Sequence, residues 1–158
     1  MREIKFRGKG IEEYDKDKWY YGYYIKLDKT TYCFKEDYET NKDNSEHKIV
    51  FDVMTDWGLP NQHKMADINI DTLGQFTGLK DKNGVEIYEG DLLKYSEDTS
   101  EISGIDEVFY NDQYGTFEVA INRNRNDTEV LGFYLSRLGI DTKYEVIGNI
   151  YESEVTND

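Results

Sequence analysis

Cysteine and histidine, the side chains that most often bind zinc, are few in this chain and scattered. The single cysteine, Cys33, and the only two histidines, His47 and His63, are candidate ligands for zinc. Zinc sites usually place their ligands in pairs at short spacing, such as two cysteines separated by two residues. Isolated positions favour histidines in surface loops and one cysteine in the core. We therefore predict no metal site from these residues.

A second candidate is the sequence around Asp81, Asn83 and Gly84, which is similar to the centre of a calcium-binding loop. Such a loop needs oxygen ligands at alternate positions and a bidentate acid at its end. Leu79 stands two positions before Asp81, and Gly90 stands where the acid belongs. A β-hairpin explains the same residues, because Asn-Gly supplies the two positive-φ positions of a type I′ turn. We predict a hairpin turn here.

Catalytic side chains are equally hard to find. No serine lies in a G-x-S-x-G turn, and Cys33 sits in an aromatic stretch typical of a core strand. Glu89 and Asp91 flank Gly90, where the chain is expected to bend. Functional groups could lie at such a bend, but we favour a structural role in which Asp91 accepts hydrogen bonds from backbone amides. We predict no catalytic residue and no cofactor, and we assign Asn83, Gly84, Gly90 and Asp91 to structural turns.

The charge of the chain restricts its partners. Its 158 residues include 33 acidic and 19 basic side chains, a net charge of −14. This field repels nucleic-acid phosphates and anionic membrane surfaces, so nucleic-acid and membrane binding are disfavoured. Basic partners, divalent cations or solubility alone remain as explanations. With one cysteine and neither a signal-peptide pattern nor an apolar run long enough to span a membrane, the sequence indicates a reducing, cytoplasmic setting.

The elements that must position any site are mainly β-strands. Aromatic residues make up 15% of the chain, including 14 tyrosines, and β-branched and aromatic residues favour strands. Alternating apolar residues predict strands at 2–7, 18–27, 30–36 and 47–56, with Gly8 and Gly10 ending the first. A polar loop is predicted at 37–45. The stretch 57–64, which contains the only proline, is expected to lie at the boundary between two β units.

The second half of the chain has the clearest pattern. A hairpin with its turn at Asn83-Gly84 is predicted within 74–95, a second hairpin at 107–121, and a final strand at 144–151. Apolar residues at helical spacing in 130–138, followed by Gly139, predict a short helix before that strand. This order is typical of a small five-stranded barrel of the SH3-like kind. We expect units at 1–64 and 65–152, with a frayed tail at 153–158.

The aromatic strand 18–27 offers a binding surface. Trp19, Tyr21, Tyr23 and Ile25 share one face of it, and Tyr20, Gly22, Tyr24 and Lys26 share the other. Aromatic residues on both faces imply that both are covered. The second face could pack within the chain, form a subunit interface or bind a ligand. As candidate interface residues we list Trp19, Tyr20, Tyr24 and Trp57.

The chain resembles the YopX family of proteins from phages and prophages of Gram-positive bacteria. The likeness is carried by REIKFRGK at the start, YGYYI, the central block GQFTGLKDKNGVEIYEGDLLKY and YEVIGNIYE near the end. It implies two β units, one of them an SH3-like barrel, and assembly into homo-oligomers. It implies no activity, so no catalytic residue is carried over. The segment 35–69 departs from the family pattern, and a partner-specific function is expected there.

Three classes of function follow. The leading hypothesis is a non-enzymatic phage or prophage accessory protein in the host cytoplasm, which binds a second copy of itself or a host or phage protein. The alternative is an acidic decoy or inhibitor that engages a basic host protein, such as a DNA-binding one. The least favoured is an enzyme acting on nucleic acid or nucleotides, because the sequence lacks the signatures of such a site.

Overall fold

The computed structural model describes residues 3–28, 32–40, 45–95, 104–137 and 144–152. Within these ranges the protein is mainly β, with eleven strands and two short α-helices. The chain forms two compact units, Lys5–Leu73 and Gly74–Asp158, the second of which also includes Met1–Ile4. The division follows Leu73 rather than residue 64, because residues 62–67 form a strand of the first unit.

The N-terminal unit contains four strands of one antiparallel sheet, in the order β4-β3-β2-β1. These strands are β1 (Phe6–Lys9), β2 (Trp19–Asp28), β3 (Ser45–Val53) and β4 (Gln62–Asp67). Its core consists of Tyr20, Ile49, Ala66 and Ile68, with Phe6, Tyr24, Phe51 and Leu73 packed around it. The predicted end of the first strand at Gly8 is wrong, since Gly8 lies inside β1, at a position where a Cβ would collide with the side chain of Ile68.

The segment after β2 differs from the prediction. Residues predicted as the end of a strand and the start of a polar loop form the short helix α1 (Lys35–Thr40). An ion pair of 3.5 Å joins Lys35 to Glu39 one turn later, and acidic residues occupy the first turn, where the helix dipole favours them. Cys33 is exposed, so its predicted place in the core is wrong. The predicted strand 30–36 and the predicted loop 37–45 also include residues 30–31 and 41–44, which lie outside the described ranges.

The C-terminal unit begins with the predicted hairpin, formed by β5 (Gly74–Lys80) and β6 (Glu86–Tyr88). A five-stranded antiparallel sheet follows, in the order β10-β9-β8-β7-β11. Its strands are β7 (Asp91–Tyr95), β8 (Ile105–Asn111), β9 (Thr116–Ala120), β10 (Thr128–Val130) and β11 (Tyr144–Asn149). The short helix before the last strand is confirmed as α2 (Leu131–Arg137), although Gly139 lies outside the described residues.

The core of this unit lies between the sheet and α2. Leu93, Val108 and Val119 are fully buried on the sheet, and Leu131 and Leu135 cover them from the helix. β10 and β11 are the two edges of the sheet, and within the described ranges no pairing joins them. The sheet is therefore open, and the predicted SH3-like closure is not observed.

The Asn83-Gly84 turn forms differently from the prediction. Gly84 has a φ of +80°, but Asn83 does not adopt positive φ, so the turn is not of type I′. The side chain of Asp81 organises the loop instead: Oδ1 accepts hydrogen bonds from the amides of Asn83 and Val85, both at 2.8 Å. Its Oδ2 accepts the amide of Val146 in β11 at 3.0 Å. The buried carboxylate of Asp81 thus connects the hairpin loop with β11, an edge strand of the five-stranded sheet.

The bend at Gly90 is confirmed. Gly90 has a φ of +83°, which favours glycine, and its carbonyl accepts the amide of Ile150. Asp91 is 1% exposed, and its Oδ2 accepts the amide of Tyr88 at 2.7 Å, as its predicted structural role requires. Burial raises the pKa of the neighbouring Glu89, while hydrogen bonds from the amides of Gln75 and Tyr110 act in the opposite direction.

Candidate functional site

The two faces of β2 have opposite environments. Tyr20 is buried and Tyr24 is packed against the core, whereas Tyr21 and Tyr23 are 50% and 63% exposed. Neighbouring side chains of a strand point to opposite faces of the sheet, so one aromatic row stabilises the fold while the other faces solvent. The exposed row is the one that can contact a partner.

This exposed row extends across three strands. Tyr23 pairs with Val50 of β3, and Val50 pairs with Met65 of β4, which is 61% exposed. Cross-strand partners lie on the same face, so these side chains and Tyr21 form one apolar surface, which we name the aromatic face. Exposed tyrosine and methionine of this kind are enriched in protein interfaces.

A hydrogen-bonded pair of polar side chains lies on each side of the central row of the aromatic face. On one side Lys48 Nζ lies 2.6 Å from Asp67 Oδ1, and this hydrogen bond is the main cause that raises the pKa of Lys48. On the other side His63 Nδ1 lies 2.5 Å from Asp52 Oδ1. An apolar centre with a polar rim is the usual arrangement of a protein-binding surface.

A second exposed apolar group lies in the loop between β3 and β4. Trp57 is 90% exposed, and Met54 and Leu59 beside it are 65% and 59% exposed. The loop is ordered by local hydrogen bonds, among them the amide of Trp57 to Asp56 Oδ1 at 2.7 Å. We name Met54, Trp57 and Leu59 the loop tip. A tryptophan this exposed is unusual, and tryptophan is the residue most enriched among those that dominate binding energy.

The four interface candidates from the sequence are not brought together. Trp57 is exposed at the loop tip, and Trp19 is half-buried with the guanidinium of Arg7 4.8 Å from its ring centre. Tyr20 and Tyr24 lie on the inner face of the sheet, where they stabilise the core of their own unit. The surface they were expected to form is instead provided by their neighbours in sequence, Tyr21 and Tyr23.

Both histidines lie in strands, His47 at the start of the predicted strand 47–56 and His63 in the stretch that was predicted as a boundary. His47 is part of β3, and its Nδ1 is hydrogen-bonded to the hydroxyl of Tyr24 at 2.7 Å, with the two rings stacked. Burial raises the pKa of Tyr24. His63 is part of β4 and pairs with Asp52, so each histidine has a partner in the neighbouring strand.

Tyr20 is tied to the loop that follows β1. Its hydroxyl donates to Asp15 Oδ2 at 2.8 Å, and Asp15 itself is only 6% exposed. Burial, together with the hydrogen bond and the charge of Asp15, raises the pKa of Tyr20 to about 12. This pair fixes the loop 11–18 against the inner face of the sheet.

Replacing Tyr20 with phenylalanine should destabilise the N-terminal unit by about 1–3 kcal/mol, because it leaves the buried Asp15 carboxylate without this donor. Since the raised pKa of Tyr20 favours the protonated folded form, its stabilisation is complete below about pH 10 and is lost as pH rises through about 12. Urea unfolding followed by tryptophan fluorescence checks this, because both tryptophans lie in this unit. The difference in unfolding free energy between wild type and Tyr20→Phe should shrink as pH rises from about 10 through about 12. A constant difference would contradict the assignment.

The sequence contained one signal for the aromatic face. Ile49, Phe51 and Val53 alternate in β3, and Ile49 is fully buried. Because Tyr24 pairs with Ile49, the even-numbered tyrosines must face the core and the odd-numbered ones must face away. Which tyrosines of β2 face the core is therefore decided by the pairing register with β3, and the sequence of β2 alone does not show it.

Comparison with known proteins places the chain in a family. The model of the YopX protein family matches residues 5–155. The chain belongs to the YopX family. A solved structure, the crystal structure of protein EF1440 from Enterococcus faecalis, shares the fold of this YopX chain with a TM-score of 0.51 and 24% identity over 96% of each chain. No curated protein matches it.

None of the helices in the described part of this YopX chain is long and apolar enough to cross a membrane. The segment 35–69, which the family resemblance describes least, includes both β3 and β4. It therefore carries the loop tip and two of the four residues of the aromatic face, Val50 and Met65.

Proposed function

We propose that this chain is a non-enzymatic phage or prophage protein that acts in the host cytoplasm by binding another protein. The observation that supports this most is the outer row Tyr23–Val50–Met65, in which Tyr23 and Met65 are exposed, on a sheet whose other face already forms the core. The loop tip adds an exposed tryptophan at the end of the same two strands. The phage origin rests on what the YopX resemblance implies.

The partner we propose is either a second copy of the chain or a host or phage protein. The two alternatives predict different behaviour in solution. If the partner is a second copy, light scattering on the purified chain should show a mass that rises with concentration and falls in the Trp57→Ala variant. A monomer at every concentration would leave a host or phage protein as the partner.

A test of the binding surface uses affinity capture from infected host cells with tagged wild-type chain. Trp57→Ala should reduce the captured partner about tenfold or more, because an interface tryptophan is often worth at least about 2 kcal/mol. The side chain is 90% exposed, so stability should change by no more than about 0.5 kcal/mol. Tyr114→Ala, which removes a 68% exposed aromatic from the C-terminal unit, is the matched control.

Capture that is equal for wild type and both variants would contradict a role for the loop tip. Loss of capture in Tyr114→Ala but not in Trp57→Ala would move the binding surface to the C-terminal unit. Either result requires that both variants keep the unfolding midpoint of the wild type, which urea titration checks.

The net charge of −14 favours a second candidate, an acidic decoy or inhibitor of a basic host protein. Attraction between opposite charges is screened by salt over about 10 Å at 0.1 M. Capture by such a decoy should weaken steeply as salt is raised, whereas capture by an apolar surface should not. Salt-insensitive capture would therefore exclude the decoy.

A further inference from the structure

We propose that the outer edge of β4 binds an extended, arginine-rich segment of a partner protein by antiparallel strand addition. This inference deepens the proposed function, because it names the kind of partner segment and how it is recognised. β4 is the last strand of its sheet, and its first four residues, 62–65, are all exposed. Edge strands present backbone groups that another strand can pair with.

The backbone of β4 has hydrogen-bonding groups directed outward at alternate residues. The amide of Ile68 donates inward to the carbonyl of His47, whereas the carbonyl of Asp67 accepts from outside, from the amide of Ile11 at 3.2 Å. Because the direction alternates along a strand, His63 and Met65 also direct their amides and carbonyls outward. In the described ranges neither residue has a backbone hydrogen-bond partner on that side.

Part of this edge is already paired in the same manner. Gly10 lies antiparallel to Ile68, and the amide of Asn69 donates to the carbonyl of Lys9 at 2.8 Å. The chain then leaves the edge after Ile11 and forms the loop that ends at β2. An incoming strand would continue this short ladder along the part of β4 that the chain itself leaves uncovered.

A cavity of about 500 Å³ lies beside this edge and gives the site its selectivity. Tyr20, Phe51 and Val53 provide its apolar wall, and Glu12 and Asp15 provide carboxylates from the loop. Asp15 is nine-tenths buried; one of its oxygens accepts the Tyr20 hydroxyl, and the other has no hydrogen-bond partner in the described part of the chain.

The cavity lining also carries two ammonium groups, those of Lys18 and Lys64. The carboxylate of Asp67, which lies at the same edge, is paired with Lys48 on the aromatic face. Lys18 lies over the ring of Tyr20, with Nζ 4.9 Å from the ring centre. A guanidinium can donate to carboxylates and stack on aromatic rings at once, which suits this lining better than an ammonium does. The net charge of −14 attracts a basic segment to the site.

Strand addition fixes which side chains of the partner go where. In an antiparallel ladder, residues that pair opposite Met65 place their side chains on the aromatic face and direct their amides toward β4. The residues between them place their side chains on the cavity side and direct their amides away. The segment we infer therefore alternates apolar residues with arginine.

The test uses a blocked peptide of alternating arginine and valine, about as long as the six residues of β4, titrated into the full chain by calorimetry. Saturable binding at one site is expected. N-methylation of the valines, which removes the amides directed toward β4, should weaken binding roughly tenfold or more. N-methylation of the arginines keeps the charge and should change affinity less than about threefold.

Variants of the chain give an independent comparison. Met65→Pro removes one outward amide, whereas Met65→Ala removes the side chain and keeps that amide. Proline is tolerated at an edge position whose amide faces solvent, so the fold should survive. Met65→Pro should bind the peptide roughly tenfold less tightly than Met65→Ala. The peptide comparison needs no variant and remains decisive if Met65→Pro fails to fold.

Four outcomes would overturn the proposal. Equal affinity for both methylated peptides would mean that the peptide is attracted by charge alone. A glutamate–valine peptide that binds as tightly as the arginine–valine peptide would exclude a role for the cavity carboxylates in selecting arginine. Dimerisation of the wild type that Met65→Pro abolishes would mean that a second copy occupies the edge. If peptide binding fails while Trp57→Ala still abolishes capture from cells, the strand-addition inference falls and the proposed function stands.

Discussion

Replacing Gly22 with alanine should destabilise the N-terminal unit by about 3 kcal/mol, near the upper end of what an overpacked site costs. A Cβ at this position would lie 2.0 Å from the carbonyl oxygen of Val50 and 3.2 Å from Cγ2 of the fully buried Ile49. The clash is with backbone, so no change of rotamer relieves it. β2 and β3 would have to separate, and three of the four residues of the aromatic face lie on these two strands.

Urea unfolding followed by tryptophan fluorescence measures this effect, since Trp19 and Trp57 both belong to the N-terminal unit. The matched control is Gly132→Ala in α2, where a Cβ meets nothing within 4 Å. That change should stabilise the protein by up to about 1 kcal/mol, because alanine is the better helix former. An unchanged urea midpoint for Gly22→Ala would contradict the close approach of β2 and β3 at Gly22.

Replacing Asp81 with alanine should destabilise the C-terminal unit by about 3 kcal/mol, because three amides lose a buried carboxylate at once. Those amides belong to Asn83, Val85 and Val146, and Asp81 is 6% exposed. Asp81→Asn keeps one acceptor oxygen and should fall between wild type and alanine. The loss of these hydrogen bonds should destabilise both the hairpin loop and the edge strand β11.

Hydrogen exchange measured residue by residue by NMR distinguishes this arrangement from a general loss of stability. The amides of Val85 and Val146 should exchange faster in Asp81→Ala than global unfolding alone explains. Amides in the core strand β8 should follow the global change only. Protection of Val146 that stays equal to wild type would mean that Asp81 does not hold β11.

Much of the strand pattern follows from the sequence, because alternating apolar residues are a local signal. The hairpins were predicted from alternation and turn residues, the helix before the last strand from helical spacing and the bend from Gly90, and all of them are present. The face of β2 that forms the core was not predictable from β2, since Tyr20 and Tyr21 are the same residue type. The register with β3 decides it, and register depends on contacts distant in sequence.

The errors in the prediction have similar physical causes. Asn83-Gly84 suggests a type I′ turn, but Asp81 takes the loop amides and stabilises a different turn. Closure of the second sheet depends on whether β10 and β11 meet, which no local pattern specifies. Predicting the candidate site required both the strand pattern and the pairing register. Tyr23 of β2 and Met65 of β4 belong to one surface because each pairs with Val50 of β3, which lies between them.

The most direct measurement of the central claim is hydrogen–deuterium exchange of the chain, free and bound to the partner that it captures from infected cells. We expect slower exchange in peptides covering β4 and the loop tip, at residues 54–67, and unchanged exchange in β7, β8 and β9. This result would place the partner on the surface that Tyr23, Met65 and Trp57 expose. Protection confined to the C-terminal unit, with residues 54–67 unchanged, would contradict the account.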